Sequence, residues 1–378
     1  MRIEKIEVFH LCMPMKFNFK SSQALLHQRE TLVIKVTDEL GHSGFGEVVA
    51  FKEPFYTGET LPRAKEVLLQ RLLPQLLEGE IPHPFAIHSW PDLGYPMAVA
   101  GVENALLDGF TRRQQQSIMD AVFDEETQER IYGGMVLGDL EPAILLRQIE
   151  DYRQEGYVRF KIKIKPGDGF AKLQRVREKY PDLMLLADAN RSFQAEQIPE
   201  LRKIDQLGLL CLEEPLASGD PVSYQRLQEQ MLTPLCLDES IQTKADLIQA
   251  AELRACQAVN LKVGRVGGLA YVKQMIEICR RHKIHYWIGS MMESGISKIL
   301  HVHLASLKDN YIPGDLSSSR RYFARDVIQP EITVQRGRIQ VPRGPGLGVE
   351  IDEEALNYYA LDHRVLERGV GPGINGSS

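Results

Sequence analysis

Apolar and polar residues alternate over Ile3–Leu11, Thr31–Val36 and Ser43–Val49, the period of half-buried β-strands. Asp38-Glu39-Leu40-Gly41 between the last two is a turn signal that makes them a hairpin. The period then lengthens to that of a helix over Leu61–Leu77, which Glu78-Gly79 stops, and again from Ala98 to about Gln116. After residue 130 the pattern changes to short apolar runs separated by amphipathic stretches such as Ala171–Tyr180, Ala195–Leu207, Lys244–Ala255 and Leu269–His282. The runs read as eight strands: Ile131–Leu137, Arg159–Ile164, Leu183–Asp188, Leu209–Glu213, Pro234–Asp238, Ala258–Lys262, His285–Gly289 and Asn310–Ile312. Eight strand–helix steps with no N-terminal G-x-G-x-x-G predict a closed TIM-type (β/α) barrel rather than a doubly wound sheet. The expected division is an α+β domain over residues 1–125 and an α/β barrel over 126–339. A tail over about 340–370, opened by Gly344-Pro345-Gly346-Leu347-Gly348, is expected to pack back on the first domain.

Charge enters this pattern at regular places. Lys163, Asp188, Glu213, Asp238 and Lys262 stand at or near the ends of successive apolar runs, at intervals of 25, 25, 25 and 24 residues. That spacing is one strand, one helix and two turns. In Arg159-Phe160-Lys161-Ile162-Lys163-Ile164-Lys165 a lone strand would put its lysines in water. Inside a barrel the helices claim Ile162 and Ile164, so Lys161 and Lys163 must point inward, where an ammonium is costly unless it faces a polar site. Two neighbouring ammonium groups are expected to depress each other's pKa and make one a base near neutral pH. Asp188, Glu213 and Asp238 could each be a helix N-cap. Three carboxylates at one depth repel unless a cation lies between them, and an all-oxygen set suits Mg²⁺, with Mn²⁺ able to substitute.

Parity adds Asn190 to the face of Asp188, Ser240 to that of Asp238 and Asn260 to that of Lys262. It turns Glu239 to the opposite face, behind the ligands, and Glu214 is the neighbour that should not ligate. Positions two and six of an eight-stranded barrel are diametrically opposed, so Lys163 and Lys262 would flank whatever the carboxylates hold. Such a site suits removal of a proton next to a carboxylate.

Composition narrows the class. A net charge of −6 with no long block of one sign gives no footprint for nucleic acid or an anionic membrane. The five cysteines form no C-x-x-C pair and are expected to be buried free thiols of a reducing compartment. No apolar h-region and no 18-residue apolar stretch is visible, so a cytoplasmic protein is expected. Gly264-Arg265-Val266-Gly267-Gly268 lacks the G-K-[ST] ending of a phosphate loop and reads as a tight turn entering a helix. His282, His285, His301 and His303 lack metal-site spacing and read as packing or surface residues. Pro14–Gln28, which contains Phe17 and Phe19, is long for a hairpin loop and reads either as a lid or as a disordered segment. The C-terminal Gly-Pro-Gly-Ile-Asn-Gly-Ser-Ser is expected to be disordered.

The ordered set Lys161-Ile162-Lys163, Asp188, Glu213, Asp238, Lys262 resembles the enolase superfamily and its muconate-lactonising-enzyme subgroup. Gly46–Tyr56, Asn260–Gly268 and Pro313–Ser317 are similar to the o-succinylbenzoate synthase / N-succinylamino acid racemase family. The resemblance implies a capping domain over an enolase-like modified barrel that uses Mg²⁺. It implies that Lys163 removes the proton, that Lys161 binds the carboxylate, and that Lys262 stabilises the enediolate. The implied reaction is dehydration of 2-succinyl-6-hydroxy-2,4-cyclohexadiene-1-carboxylate for menaquinone synthesis, with racemisation of N-succinylamino acids or a cycloisomerase reaction as alternatives. Candidate substrate contacts are Lys161, Phe19, Asn190, Ser290, Met292 and Glu293, with Glu239 and Arg265 behind them. Arg265 could lower the pKa of Lys262 or simply tie down the glycine-rich turn. The expected partners are a small-molecule carboxylate and further copies of the chain. Asp315-Leu316-Ser317 lacks the D-x-D of dipeptide epimerases, and Ser319-Arg320-Arg321 stands where close relatives tend to carry an acid.

Overall fold

A computed structural model describes residues 1–20, 25–91 and 94–369 of the chain, the side chains of Phe19 and Lys20 excepted. Three antiparallel strands, β1 (Ile3–Lys20), β2 (Leu25–Asp38) and β3 (Ser43–Val48), open the fold. The first two outrun the expectation. Pro14–Lys20 and Leu25–Gln28 are not loop but the ends of the two strands, with Pro14 opposite Gln28 and Phe19 opposite Leu26. Met15, Phe17 and Phe19 alternate with Lys16, Asn18 and Lys20, a strand period that Pro14 obscures in the sequence. The Phe19 side chain, named above as a substrate contact, lies outside the described residues, as do the last residues of the chain.

Helix Pro96–Arg113 crosses this sheet through a seam of small residues. A Cβ on Gly46 would lie 2.0 Å from the Gly101 carbonyl oxygen, and one on Gly44 would lie 2.1 Å from the Gly109 nitrogen. Backbone atoms cannot step aside as a flexible side chain does. Gly46→Ala should therefore cost about 3 kcal/mol of stability, read as a lowered denaturant midpoint; an unchanged midpoint would contradict the seam.

Seven parallel strands follow in sequence order: β4 (Gly134–Leu137), β5 (Arg159–Lys163), β6 (Met184–Asp188), β7 (Leu212–Glu213), β8 (Leu235–Leu237), β9 (Ala258–Leu261) and β10 (His285–Ile288). The expected eighth strand at Asn310–Ile312 does not form. An irregular segment spans the gap instead: the amides of Tyr311 and Asp315 donate to Tyr286 and Ile288 of β10 (2.8 and 3.1 Å), and Leu316 accepts from Gly134 of β4 (3.1 Å). Pro313 in the middle of this segment has no N–H to give a ladder. Ile162 and Ile164 join the helix-covered core as predicted. Leu186, Cys211, Cys236, Ala258, Trp287 and Ile312 form a separate buried cluster, an apolar layer of the barrel interior. All five cysteines are free, four of them buried, and no helix among the described residues is long and apolar enough to cross a membrane.

Buried carboxylates join the antiparallel sheet to the barrel. Glu47 accepts from the amides of Ser294 and Ser297 (3.0 and 3.1 Å) at the start of helix Gly295–Ala305. Glu103 accepts from Leu269 and Ala270 at the start of helix Leu269–His282. Each acid meets helix N–H groups that have no partner within the helix. The C-terminal strand β11 (Ala360–Glu367) pairs with β1 and completes a four-stranded sheet.

Candidate active site

The parallel register sets Lys163 opposite Asp188 and Asp188 opposite Glu213, so three of the five spaced charges lie at one level. Asp238 and Lys262 follow one residue after β8 and β9. Lys161 Nζ lies 2.6 Å from Asp315 Oδ2, 3.0 Å from Glu213 Oε2 and 3.4 Å from Asp188 Oδ2. Trp287 forms its floor, with the ring centroid 5.1 Å away. Lys163 donates to Asp188 Oδ2 and Asn190 Oδ1, both at 2.6 Å. Lys262 is ion-paired with Asp238, donates to the Tyr56 hydroxyl (3.2 Å) and lies over its ring. Among the described residues no three His, Cys, Asp or Glu side chains are placed to hold a metal ion. Each of the three carboxylates is paired with a lysine ammonium.

The electrostatics correct another expectation. Burial would strip Lys161 of its proton, yet Asp315, Glu213 and Asp188 outweigh it and raise its pKa above the ordinary lysine value. Lys262 is also raised, its burial overcome by Tyr56, Glu213 and Glu239. At Lys161 the depression expected from a neighbouring ammonium therefore loses to the surrounding acids. Asp188 resists its own burial because Lys163 and Lys161 hold it at about 2. Glu239, expected behind the ligands, lines the cavity beside them, and it is pushed up to about 7 by burial and then by Glu214 and Asp188. Its Oε1 accepts from Asn190 Nδ2 at 3.0 Å, and its Oε2 has no hydrogen-bond partner.

Around these groups the backbone is strained. Asn190, Arg191, Glu214 and Met292 hold φ values of 42°, 60°, 41° and 56°, a conformation that non-glycine residues keep only when their surroundings enforce it. Glu214 shows how: it faces away from the lysines, accepts from Arg191 Nε (3.0 Å), Tyr224 (3.1 Å) and the Asp238 amide (2.6 Å), and bonds Ser240. Arg265 is fully buried, paired with Asp238, and donates to Tyr56 (2.7 Å), Ile241 O (2.9 Å) and Asn260 O. Its carbonyl bonds do tie the turn, and Gly267 and Gly268 (φ 96° and 127°) lead from it into the next helix.

One cavity gathers Lys161, Lys163, Asp188, Asn190, Asp238, Glu239, Lys262, Ser290 and Met292. Glu293 is not among its lining; fully buried, it accepts from Ser290 Oγ (3.0 Å) and the Met291 amide and meets His301 Nδ1 (3.0 Å), holding the wall from behind. Glu213 sits beneath, between Lys161 and Asn260 Nδ2 (2.8 Å). The residues that sequence reasoning missed are Leu26, Phe51, Phe55 and Tyr56 from the first domain, and Val136, Met291, Asp315 and Tyr322. Tyr56 ends a stretch, Gly46–Tyr56, that carried the family resemblance, but no local pattern gave it a role in the site. That loop is placed by Arg29, which donates to Val49 and Ala50 carbonyls and lies 4.4 Å from the Phe51 centroid, and by Glu59, which accepts from the amides of Met97 and Ala98 (2.7 and 2.9 Å).

Known proteins resemble this chain in sequence and fold. Residues 145–355 match the family described as Enolase C-terminal domain-like. The chain is 38% identical over 362 residues to the o-succinylbenzoate synthase of Bacillus subtilis, covering 94% of this chain and 96% of that one. It is 34% identical over 355 residues to the N-succinylamino acid racemase of Thermus thermophilus, covering 93% and 95%. The crystal structure of an enolase-superfamily member from Listeria innocua superposes with a TM-score of 0.93 at 33% identity, covering 98% and 100%. The chain belongs to the enolase superfamily, with an Enolase C-terminal domain-like barrel.

Proposed function

We propose that this chain catalyses the o-succinylbenzoate synthase reaction, the loss of water from 2-succinyl-6-hydroxy-2,4-cyclohexadiene-1-carboxylate, a step of menaquinone biosynthesis. The observation that carries the reading is the pair of lysines from strand ends far apart in the sheet, Lys163 and Lys262, lining one cavity. Lys163 takes the proton on the carbon next to the ring carboxylate, and the electron pair moves into that carboxylate as an enediolate. Lys161 binds the carboxylate and the Lys262 ammonium stabilises the new charge. The carbon–oxygen bond then breaks, the departing hydroxyl takes a proton from the Lys163 ammonium, and the ring becomes aromatic.

Asp188, Glu213 and Asp238, oxygen donors on adjacent strands, would hold Mg²⁺, and Mn²⁺ could take its place. When bound, the dication supplies Lewis-acid stabilisation of the carboxylate charge. In this reading residues 1–125 and the tail 340–370 cap the barrel of residues 126–339, since Leu26, Phe51, Phe55 and Tyr56 reach its cavity.

The same lysine pair favours racemisation of N-succinylamino acids as a second activity, one lysine removing the α-proton and the other returning it. Purified protein with Mg²⁺ should dehydrate the cyclohexadiene substrate and exchange the α-proton of N-succinylamino acids in deuterated water. Exchange without dehydration would assign racemisation as the main activity; neither reaction would overturn the proposal.

A further inference from the structure

Arg321 has no part in the chemistry proposed above, yet it touches the cavity wall. Its Nη2 donates to the Val136 carbonyl (2.6 Å) and its Nη1 to the Tyr322 hydroxyl (3.4 Å), and both partners line the cavity. Three rings surround the guanidinium, those of Tyr322, Tyr152 and Phe17, at 5.2, 5.3 and 5.6 Å. Its Nε is buried without a hydrogen-bond partner. Among the described residues Arg321 forms no ion pair, whereas its neighbour Arg320 is paired with Glu331.

A second cation stands close by. Lys298 is fully buried, its Nζ has no hydrogen-bond partner, and it lies 4.9 Å from the centroid of the same Tyr322 ring. Strand β1 closes this corner: the Lys16 amide donates to Tyr322 O (2.8 Å) and Lys16 Nζ to Arg320 O (2.9 Å). At the reacting end, by contrast, Lys161, Lys163, Lys262 and Arg265 are each paired with a carboxylate. Beside Tyr322, among the described residues, Arg321 is therefore a cation with no paired carboxylate, while the charge of Lys298 already acts on Glu293.

We propose that Arg321, supported by Lys298, reads the tail of the substrate and selects molecules whose acyl chain ends in a second carboxylate over those with a neutral tail. This rests on the reading that the reacting carboxylate binds at the lysines. A guanidinium now bonded to neutral oxygens gains a charge-assisted partner when such a tail arrives.

Calorimetric titration of the Mg²⁺-loaded protein with o-succinylbenzoate, and with the analogue whose tail carboxylate is a primary amide, tests it. The wild type should prefer the carboxylate by on the order of 10- to 100-fold, and Arg321→Gln should bring the ratio close to one. Arg321→Lys should keep part of the preference, and Lys298→Met, which leaves the Val136 bond intact, should reduce it by a smaller factor. A wild type without the preference overturns the inference. So does an Arg321→Gln protein that keeps the ratio, even with both affinities lowered, because Arg321 would then only tie the loop to β4. Tail selectivity in a wild type that catalyses neither reaction would leave this inference standing and remove the proposed function instead.

Discussion

Lys163→Ala should lower kcat for dehydration by about 10²- to 10⁴-fold, the range for losing a general base, and should stop racemisation in both directions. The reason is positional. Lys163 is held by Asp188 and Asn190, and its side chain, at 13% exposure against 4% for Lys161 and Lys262, is the most accessible of the three lysines. Lys161 cannot replace it, because Asp315 and Glu213 hold it where the carboxylate, not the reacting carbon, is proposed to bind. Lys262→Ala should also abolish racemisation, which needs an acid or base on each face of the substrate. Dehydration should fall steeply there too, through loss of the charge that stabilises the enediolate. α-Proton exchange in deuterated water separates the two roles: each alanine variant should exchange one enantiomer only, and the two variants should choose opposite enantiomers. Equal exchange of both enantiomers by either variant would refute the two-sided arrangement.

Excess chelator should remove activity entirely, and Asp238→Asn should lose most of it with partial recovery at high Mg²⁺. Asp238 carries more than one burden, since Lys262, Arg265 and Tyr56 all bond to it. The substitution leaves two buried cations short of a partner, a change that costs several kcal/mol when uncompensated. A loss of stability alone would show as a lowered melting temperature that Mg²⁺ does not restore. A loss of the binding site would show as a raised Mg²⁺ requirement at an unchanged fold. Full activity in chelator would remove Asp188, Glu213 and Asp238 from the metal role.

Local pattern carried the strands and their charges. The alternation of Arg159–Lys165 placed two lysines inside the barrel because the helices outside it take Ile162 and Ile164, and that is where they lie. The same logic turned Glu214 away from the cavity. It failed where a strand's period was interrupted by proline. Pro14 hid the extension of β1, and the segment at Pro313 closes the barrel without forming a strand. It failed again for Glu239, which parity turned behind the ligands and which lines the cavity beside Asp238. Glu293, a candidate contact, lies outside the lining to which Ser290 and Met292 belong, in an irregular turn after β10 with Met292 at positive φ.

What the sequence determined by itself was the parallel (β/α) order and the rank of charges at the strand ends, because both follow from periods of two and of about 25 residues along one chain. What only the tertiary structure decided was the company those charges keep. Tyr56, Asp315 and Tyr322 reach the cavity from loops that no period governs. The direction of each lysine's pKa also waited on the fold, because it is the sum of burial and of acids brought from distant strands: Asp315, for one, is 154 residues from Lys161 in sequence and 2.6 Å away in space. Electrostatic energy depends on distance through space, and the chain's order does not encode that distance until the barrel closes.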